Sequence, residues 1–233
     1  MEKSMKRAKQ IIKQKEDGIL MFLLIGVGYL LFCSALPALA AGVISQWFPG
    51  SLNSYYAVLS FGAGLCFVLT LYRTCGESLE IGKNITLTGI EEAIFTGLLL
   101  FFAINFVVSP LLGGIFKSSE INYTESVQSM FETPVPTFFQ LVVIAPLMEE
   151  LIFRGFLLKR ALRWRSTWTS ILLVAAFFGL LHLSIVQGLS AMAAGIFLCL
   201  LYVRKQSVAL CILAHSLFNG LAFVMIILAS GIL

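Results

Sequence analysis

Charged residues are scarce in this sequence. Asp, Glu, Lys and Arg make up 12% of the 233 residues, whereas soluble domains carry about 25%. Hydrophobic residues make up 59%, and the mean hydropathy is +0.95. The composition excludes a soluble domain that stands apart and predicts a polytopic membrane protein. The net charge of +4 does not indicate nucleic-acid binding, because the basic residues gather at the ends of apolar segments.

Several motifs of common hydrolases and metal sites are missing. The five cysteines show no CxxC or other metal-ligand spacing, so we assign them no role. HExxH does not occur, which excludes the standard zincin arrangement. Without GxSxG or a Ser/His/Asp set, a serine hydrolase is not favoured. A Gly-rich phosphate loop and an internal repeat are missing too.

Long apolar segments dominate instead, and a membrane-spanning helix needs about 20 such residues. We predict seven spans, at about 19–44, 55–72, 93–116, 136–158, 168–186, 188–203 and 208–232. The sixth is short and follows a tight turn, which suggests a partly re-entrant hairpin with the fifth. The predicted fold class is all-α: a polytopic membrane helix bundle of about seven transmembrane helices with an intramembrane site.

The distribution of basic residues predicts the orientation of this bundle. With the N-terminus in the cytoplasm, nearly all segments rich in Lys and Arg fall inside, and Lys117 falls outside. Residues 1–18 read as a cytoplasmic amphipathic segment at the membrane surface. The first span is expected to remain uncleaved, although Ala38-Leu39-Ala40 resembles a signal-peptidase site. Short loops suggest a bacterial plasma membrane protein.

Two adjacent carboxylates interrupt the fourth apolar segment. A charge at mid-bilayer costs about 2.5–3.5 kcal/mol on insertion scales, so such residues face the bundle interior or a wet cavity. Arg154 follows Glu150 by four residues and shares its helix face, where an ion pair offsets part of the cost. Glu149 is rotated by about 100°, so it is predicted to lack that partner and to be free. Pro146 can kink the helix and open it to water.

The chain has two histidines, His182 and His215, and both are predicted within apolar spans. Phe178 precedes His182 by four residues, and Asn219 follows His215 by four. Each pair therefore shares a helix face. Polar groups in apolar surroundings must find partners in the protein, so we expect these side chains to converge with the glutamates.

Three chemistries fit such a cluster. A carboxylate in a dry pocket can act as a general base, and imidazoles with a carboxamide can polarise a carbonyl oxygen, so the set could activate water against a peptide bond. Glu149, His182 and His215 could instead hold zinc, with water as the fourth ligand. Intramembrane Glu and His also form proton relays, so a proton-coupled transporter is a further alternative.

Three motifs occur in order: EELIFR (Glu149–Arg154) fits EExxxR, FGLLH (Phe178–His182) fits FxxxH, and HSLFN (His215–Asn219) fits HxxxN. In this order and spacing the chain resembles the CPBP family of intramembrane proteases. That family includes the type II CAAX prenyl endopeptidases and the bacterial bacteriocin-processing or self-immunity (Abi) proteins. The resemblance covers roughly residues 134–223, so we divide the chain into 1–18, accessory helices 19–133 and a CPBP-like core 134–233.

The resemblance implies an intramembrane endopeptidase in which Glu149 and His182 activate water. His215 and Asn219 would form the oxyanion site, and Glu150, Arg154 and Phe178 would support these groups. No cofactor is favoured, because Asn219 is a poor zinc ligand and a good oxyanion donor; zinc on Glu149, His182 and His215 is the alternative. The implied partners are membrane lipid and a peptide or membrane-associated protein substrate, which could be lipidated, in bacteriocin processing or self-immunity.

Overall fold

The computed structural model describes Gly18 and residues 20–118, 130–182 and 184–230. Over these residues the chain is helical with connecting turns and contains no strand. Its seven longest helices are α1 (Leu20–Ile44), α2 (Leu52–Thr74), α3 (Leu87–Ile115), α4 (134–161), α5 (Thr167–Leu180), α6 (Ile185–Lys205) and α7 (Val208–Ser230). The predicted all-α fold with about seven helices is confirmed.

Five of these helices are long and apolar enough to cross a membrane, namely α1, α2, α3, α6 and α7. The chain is therefore an integral membrane protein. Helix α5 has 14 residues, which corresponds to about 21 Å against a hydrocarbon core of about 30 Å. The expectation of a short sixth span was wrong, because α6 has 21 residues and the fifth helix is the short one.

Helix α4 lies at the centre of the bundle, and every residue from Leu151 to Leu158 is buried. Two stretches, Phe139–Ile144 and Leu151–Leu158, form wider π-helical turns on either side of the α-helical turn Ala145–Glu150. Such turns change which backbone groups are paired and are frequent at functional sites. The Tyr72 hydroxyl of α2 donates to the Leu151 carbonyl at 2.8 Å. Gly155 makes room for this hydroxyl, because a Cβ there would overlap it.

Ion pairs gather at one end of the bundle and connect the ends of α4 and α6 to the α2–α3 loop and the start of α3. The nitrogen–oxygen distances are 2.7 Å for Arg163–Glu77, 3.7 Å for Lys159–Glu80 and 2.6 Å for Lys205–Glu92. These lysines and arginines belong to the segments that the sequence places in the cytoplasm. The structure thus brings the basic segments to a common end, while the side of the membrane on which this end lies stays a prediction.

The structure describes only part of the predicted domain division. The amphipathic N-terminal segment, 1–18, lies outside the described residues except for Gly18. Helix α4 begins at Pro134, where the predicted core begins. Helix α3, from the predicted accessory part, packs closely on α7, because an added Cβ at Gly97 would lie 2.8 Å from the Ala214 carbonyl oxygen. The division into accessory and catalytic parts stays a prediction.

Candidate active site

Glu149 and Glu150 lie at the end of the short α-helical turn Ala145–Glu150, in the middle of α4. Their exposed fractions are 7% and 0%. Pro146 opens this turn, and because proline has no N–H it removes one backbone hydrogen bond from the helix. The change of helical pitch on both sides sets the directions in which the two carboxylates leave the backbone.

Glu150 is the centre of a buried charged cluster. Its Oε1 accepts a hydrogen bond from Arg154 Nη1 at 2.7 Å and lies 2.8 Å from His215 Nδ1. Arg154 is fully buried, donates from Nη2 to the Gly195 carbonyl at 3.2 Å and lies 5.0 Å from the centre of the Phe178 ring. The Glu150–Arg154 pair thus has the geometry that the spacing of four residues indicated. Glu150 Oε2 and Arg154 Nε are buried without a hydrogen-bond partner among the described residues.

The Glu150 contact also fixes how His215 is turned. Because Glu150 is paired with a guanidinium, its oxygen acts as the acceptor and Nδ1 as the donor. The other ring nitrogen, Nε2, then faces Glu149 and lies 3.8 Å from its Oε2. The ring is buried, with 6% of the residue exposed. His215 therefore bridges the two adjacent glutamates of α4 from α7.

Glu149 has a partner that the sequence did not reveal. The Tyr29 hydroxyl of α1 donates to Glu149 Oε1 at 2.7 Å. Among the described residues Arg154 pairs with Glu150 and not with Glu149, as predicted, but the expectation that Glu149 is free is wrong, because it accepts this hydrogen bond. Tyr29 is 120 residues away in the chain, so local spacing carries no signal for this contact.

His182 lies in the turn between α5 and α6, two residues beyond Leu180. The prediction that it falls within an apolar span is therefore wrong in detail. Its Nδ1 lies 2.9 Å from the Phe178 carbonyl oxygen, and since a carbonyl only accepts, Nδ1 carries the proton and Nε2 is the basic nitrogen of the neutral ring. The side chain is half-buried.

Phe178 connects the two histidines. Its ring centre lies 5.1 Å from that of His182 and 6.2 Å from that of His215, edge-on in both cases. The same ring also faces Arg154. The structure therefore places both imidazoles around one aromatic side chain, next to the charged cluster of α4.

Asn219 lies one helical turn after His215 on α7. Its Nδ2 donates to the Leu141 carbonyl at 2.8 Å, within the first π-helical stretch of α4. One amide hydrogen is therefore used to fix the side chain, and the group has a second one to offer. The contact of Asn219 with α4 is therefore to the backbone carbonyl of Leu141, which lies more than one helical turn before Glu149.

The zinc alternative needs Glu149, His182 and His215 within reach of one ion. Among the described residues, no group of three His, Cys, Asp or Glu side chains lies close enough to hold a metal ion. The described donor set does not fit a zinc site, and whether the protein uses a metal stays a prediction.

Comparison with known protein families gives a match to part of the chain. Residues 131–221 match the family described as "Type II CAAX prenyl endopeptidase Rce1-like". This segment holds all the predicted site residues and confirms the resemblance drawn from the three motifs. The family name is that of a protease, so the segment indicates peptide-bond hydrolysis. Searches of curated proteins and of solved structures returned no match.

Proposed function

Since residues 131–221 form an Rce1-like domain in an integral membrane protein, we propose that the chain is an intramembrane endopeptidase of the glutamate type. The observation that carries this proposal is the buried contact of His215 with both glutamates of α4, at 2.8 Å from Glu150 and 3.8 Å from Glu149. Buried charges of this kind are costly in a membrane protein and mark functional sites.

In this proposal Glu149 is the general base that takes a proton from water. Its Oε2 is the oxygen turned toward His215. His182 assists with Nε2, the ring nitrogen left over from the bond to the Phe178 carbonyl. A positioned base of this type contributes about 10²–10⁴-fold to a rate.

His215 and Asn219 are proposed to stabilise the oxyanion of the tetrahedral intermediate. Asn219 donates through the amide hydrogen that Leu141 does not use. For His215 to donate from Nε2 while Nδ1–H stays on Glu150, the ring must carry both protons. Glu150, Arg154 and Phe178 hold this arrangement: the first orients His215, the second compensates the charge of Glu150, and the third packs against both imidazoles.

We propose that the substrate is a membrane-associated protein or peptide precursor, as in bacteriocin processing or self-immunity. The support is the position of the site within a bundle of apolar helices, which a membrane-anchored chain can reach by lateral diffusion. The family name adds a prenylated protein as a substrate class to be included in any test.

Cleavage by purified protein is the direct test. The protein in detergent is incubated with a peptide library that includes lipidated members, and products are identified by mass spectrometry. Glu149→Gln should reduce cleavage by at least about 10²-fold, the contribution of a general base. Glu91→Gln is the matched control, because Glu91 is exposed near the start of α3 and should keep normal cleavage. Full cleavage by Glu149→Gln would contradict the mechanism.

Metal dependence is tested on the same reaction. The proposed mechanism predicts that the rate is unchanged after treatment with a chelator and unchanged after zinc is added back. Loss with the chelator and recovery with zinc would establish the metal version instead. Proton uptake into proteoliposomes that depends on Glu149, without cleavage, would favour the transporter.

A further inference from the structure

Tyr29, which donates a hydrogen bond to Glu149, lies outside the segment that matches the family. Tyr29 lies on α1, whereas the match covers residues 131–221. We infer that Tyr29 is a positioning residue for Glu149, so that α1 is part of the catalytic arrangement. This inference rests on the proposed function for its kinetic consequence.

The two carboxylate oxygens of Glu149 have different surroundings. Oε1 accepts the bond from the Tyr29 hydroxyl at 2.7 Å, and Oε2 is the oxygen 3.8 Å from His215 Nε2. Holding one oxygen restrains the rotation of the carboxylate and leaves the other in a defined direction. The oxygen that remains is the one that faces the imidazole, so Tyr29 selects the face of Glu149 that meets water.

The Tyr29 ring is itself held in place. It packs edge-on against Phe153 at 5.9 Å between ring centres, and Phe153 is fully buried and packs on Phe178 at 4.8 Å. The Tyr29 ring is thus connected through Phe153 to Phe178, the ring on which the two histidines pack. A tyrosine held this way restrains its partner, whereas a mobile one would not.

Helix α1 can pack closely against α5 and α2 because glycines lie beside Tyr29. An added Cβ at Gly26 would lie 2.7 Å from the Phe177 ring, and one at Gly28 would overlap the Phe67 ring. Phe22 also packs edge-on against Phe177 at 5.2 Å. Contacts to α5 and α2 therefore fix the part of α1 that leads up to the tyrosine.

The kinetic test compares two phenols. In Tyr29→Phe the ring remains and only the hydroxyl is lost, so we expect kcat to fall about 10–100-fold, the size of effect that a misplaced catalytic group causes. KM should stay within about twofold, because Tyr29 does not bind substrate. The control is Tyr56→Phe, whose hydroxyl donates to the Cys33 carbonyl of α1 instead and whose kcat should be that of the unchanged protein. A normal kcat for Tyr29→Phe would overturn the inference.

A second measurement does not depend on activity. The difference between infrared spectra of the unchanged protein and of Glu149→Gln isolates the carboxyl band of Glu149. Tyr29→Phe should shift this band and Tyr56→Phe should leave it in place. An unshifted band in Tyr29→Phe overturns the contact. If no peptide is cleaved by the unchanged protein, the proposed function fails, and the band still decides whether Tyr29 holds Glu149.

Discussion

At the scale of single residues, Arg154 compensates the buried charge at the centre of the site. It is fully buried and pairs with Glu150, which is fully buried as well. Removing one member of a buried ion pair costs about 3–5 kcal/mol, because the other charge remains without compensation. Glu150 also forms a hydrogen bond with His215, so the loss of Arg154 should also disturb the position of this histidine.

We therefore expect Arg154→Met to lower the thermal unfolding midpoint strongly, or to prevent accumulation of folded protein. The measurement is thermal unfolding of the purified protein in detergent. Lys83→Gln serves as the control, because Lys83 forms an exposed pair with Glu80 and exposed pairs contribute little. Equal midpoints for the two variants would show that the buried pair is not needed for stability.

Some contacts of single residues in the site could be predicted from the sequence, and others could not. Glu150–Arg154 was predictable, because four residues on a helix place two side chains on one face. Tyr29 was not, because a contact across 120 residues depends on how helices pack. Tyr29 donates to Glu149 and Tyr56 to the Cys33 carbonyl, and nothing in one sequence indicates which of the two tyrosines lies opposite the carboxylate.

At the scale of helices, the α5–α6 pair depends on close backbone contact. An added Cβ at Gly179 would lie 2.5 Å from the Gly188 carbonyl oxygen, and one at Gly188 would lie 2.9 Å from the Gly179 carbonyl oxygen. The turn that carries His182 lies between these two glycines. A larger residue at either position has to separate the helices and move the histidine.

Gly179→Ala should therefore destabilise the protein by about 1–3 kcal/mol, as overpacking does, and should reduce cleavage because His182 shifts. Gly62→Ala is the control, since an added Cβ there meets nothing within 4 Å and alanine is the better helix former by about 1 kcal/mol. Unfolding midpoints and cleavage rates of both variants check this. The explanation fails if Gly179→Ala behaves like Gly62→Ala.

The boundary between α5 and α6 also shows the limit of hydropathy. Apolar sequence continues from α5 through Leu181 to Val186, which led to a predicted span at 168–186. The helix ends at Leu180, and α6 starts after Ser184, whose side chain accepts a hydrogen bond from Gln187 N at 3.4 Å. Ser184 followed three residues later by Gln187 is a helix-start pattern, so a signal for the boundary was present in the sequence.

The stability of the fold should depend on pH through Glu77, which lies in the loop between α2 and α3. Hydrogen bonds and charge from Arg163 hold the pKa of Glu77 below its ordinary value of 4.5, with smaller help from Arg160 and Lys159. A folded-state pKa below the unfolded one gives stability that is complete above the unfolded pKa and is lost as the pH falls through the folded pKa. The Glu77 contribution should thus be present at neutral pH and be lost progressively as the pH falls below the ordinary value of 4.5 and through the lowered pKa.

Glu77→Gln should lower the unfolding midpoint at pH about 7 and should have a shrinking effect as the pH drops below about 4.5. The control Arg165→Gln removes a charge from the same helix end outside the Glu77 ion pairs, and its effect should not follow this titration. Midpoints of both variants measured across the pH range check the sign. An effect of Glu77→Gln that grows on acidification contradicts it.

At the scale of the whole molecule, the charges predict how the bundle lies in the membrane. The ion-paired lysines and arginines at the ends of α4 and α6 share one end with the α2–α3 loop. Cytoplasmic loops carry an excess of such residues. Cys75 is exposed at the end of α2 that leads into this loop, and Gln46 is exposed beyond the far end of α1.

We expect an impermeant maleimide to label Gln46→Cys, but not Cys75, in intact cells. Each cysteine is tested alone, with the other cysteines replaced, and permeabilised cells should show labelling of both. Labelling of Cys75 alone in intact cells would show that the orientation is the opposite one.

The number and class of helices could be predicted from apolar length alone, whereas the order in which they pack around α4 could not, because several apolar faces have similar composition.

The complete burial of Leu151–Leu158 has a consequence for the role of the bilayer. The side chains of this stretch are enclosed by protein, so the surrounding helices separate the centre of α4 from the lipid. Bilayers of different thickness act through mismatch on the outer helices, at a cost of fractions of a kcal/mol per Å. A change of lipid composition should therefore alter the fit of the outer helices to the bilayer while the packing around Leu151–Leu158 stays the same.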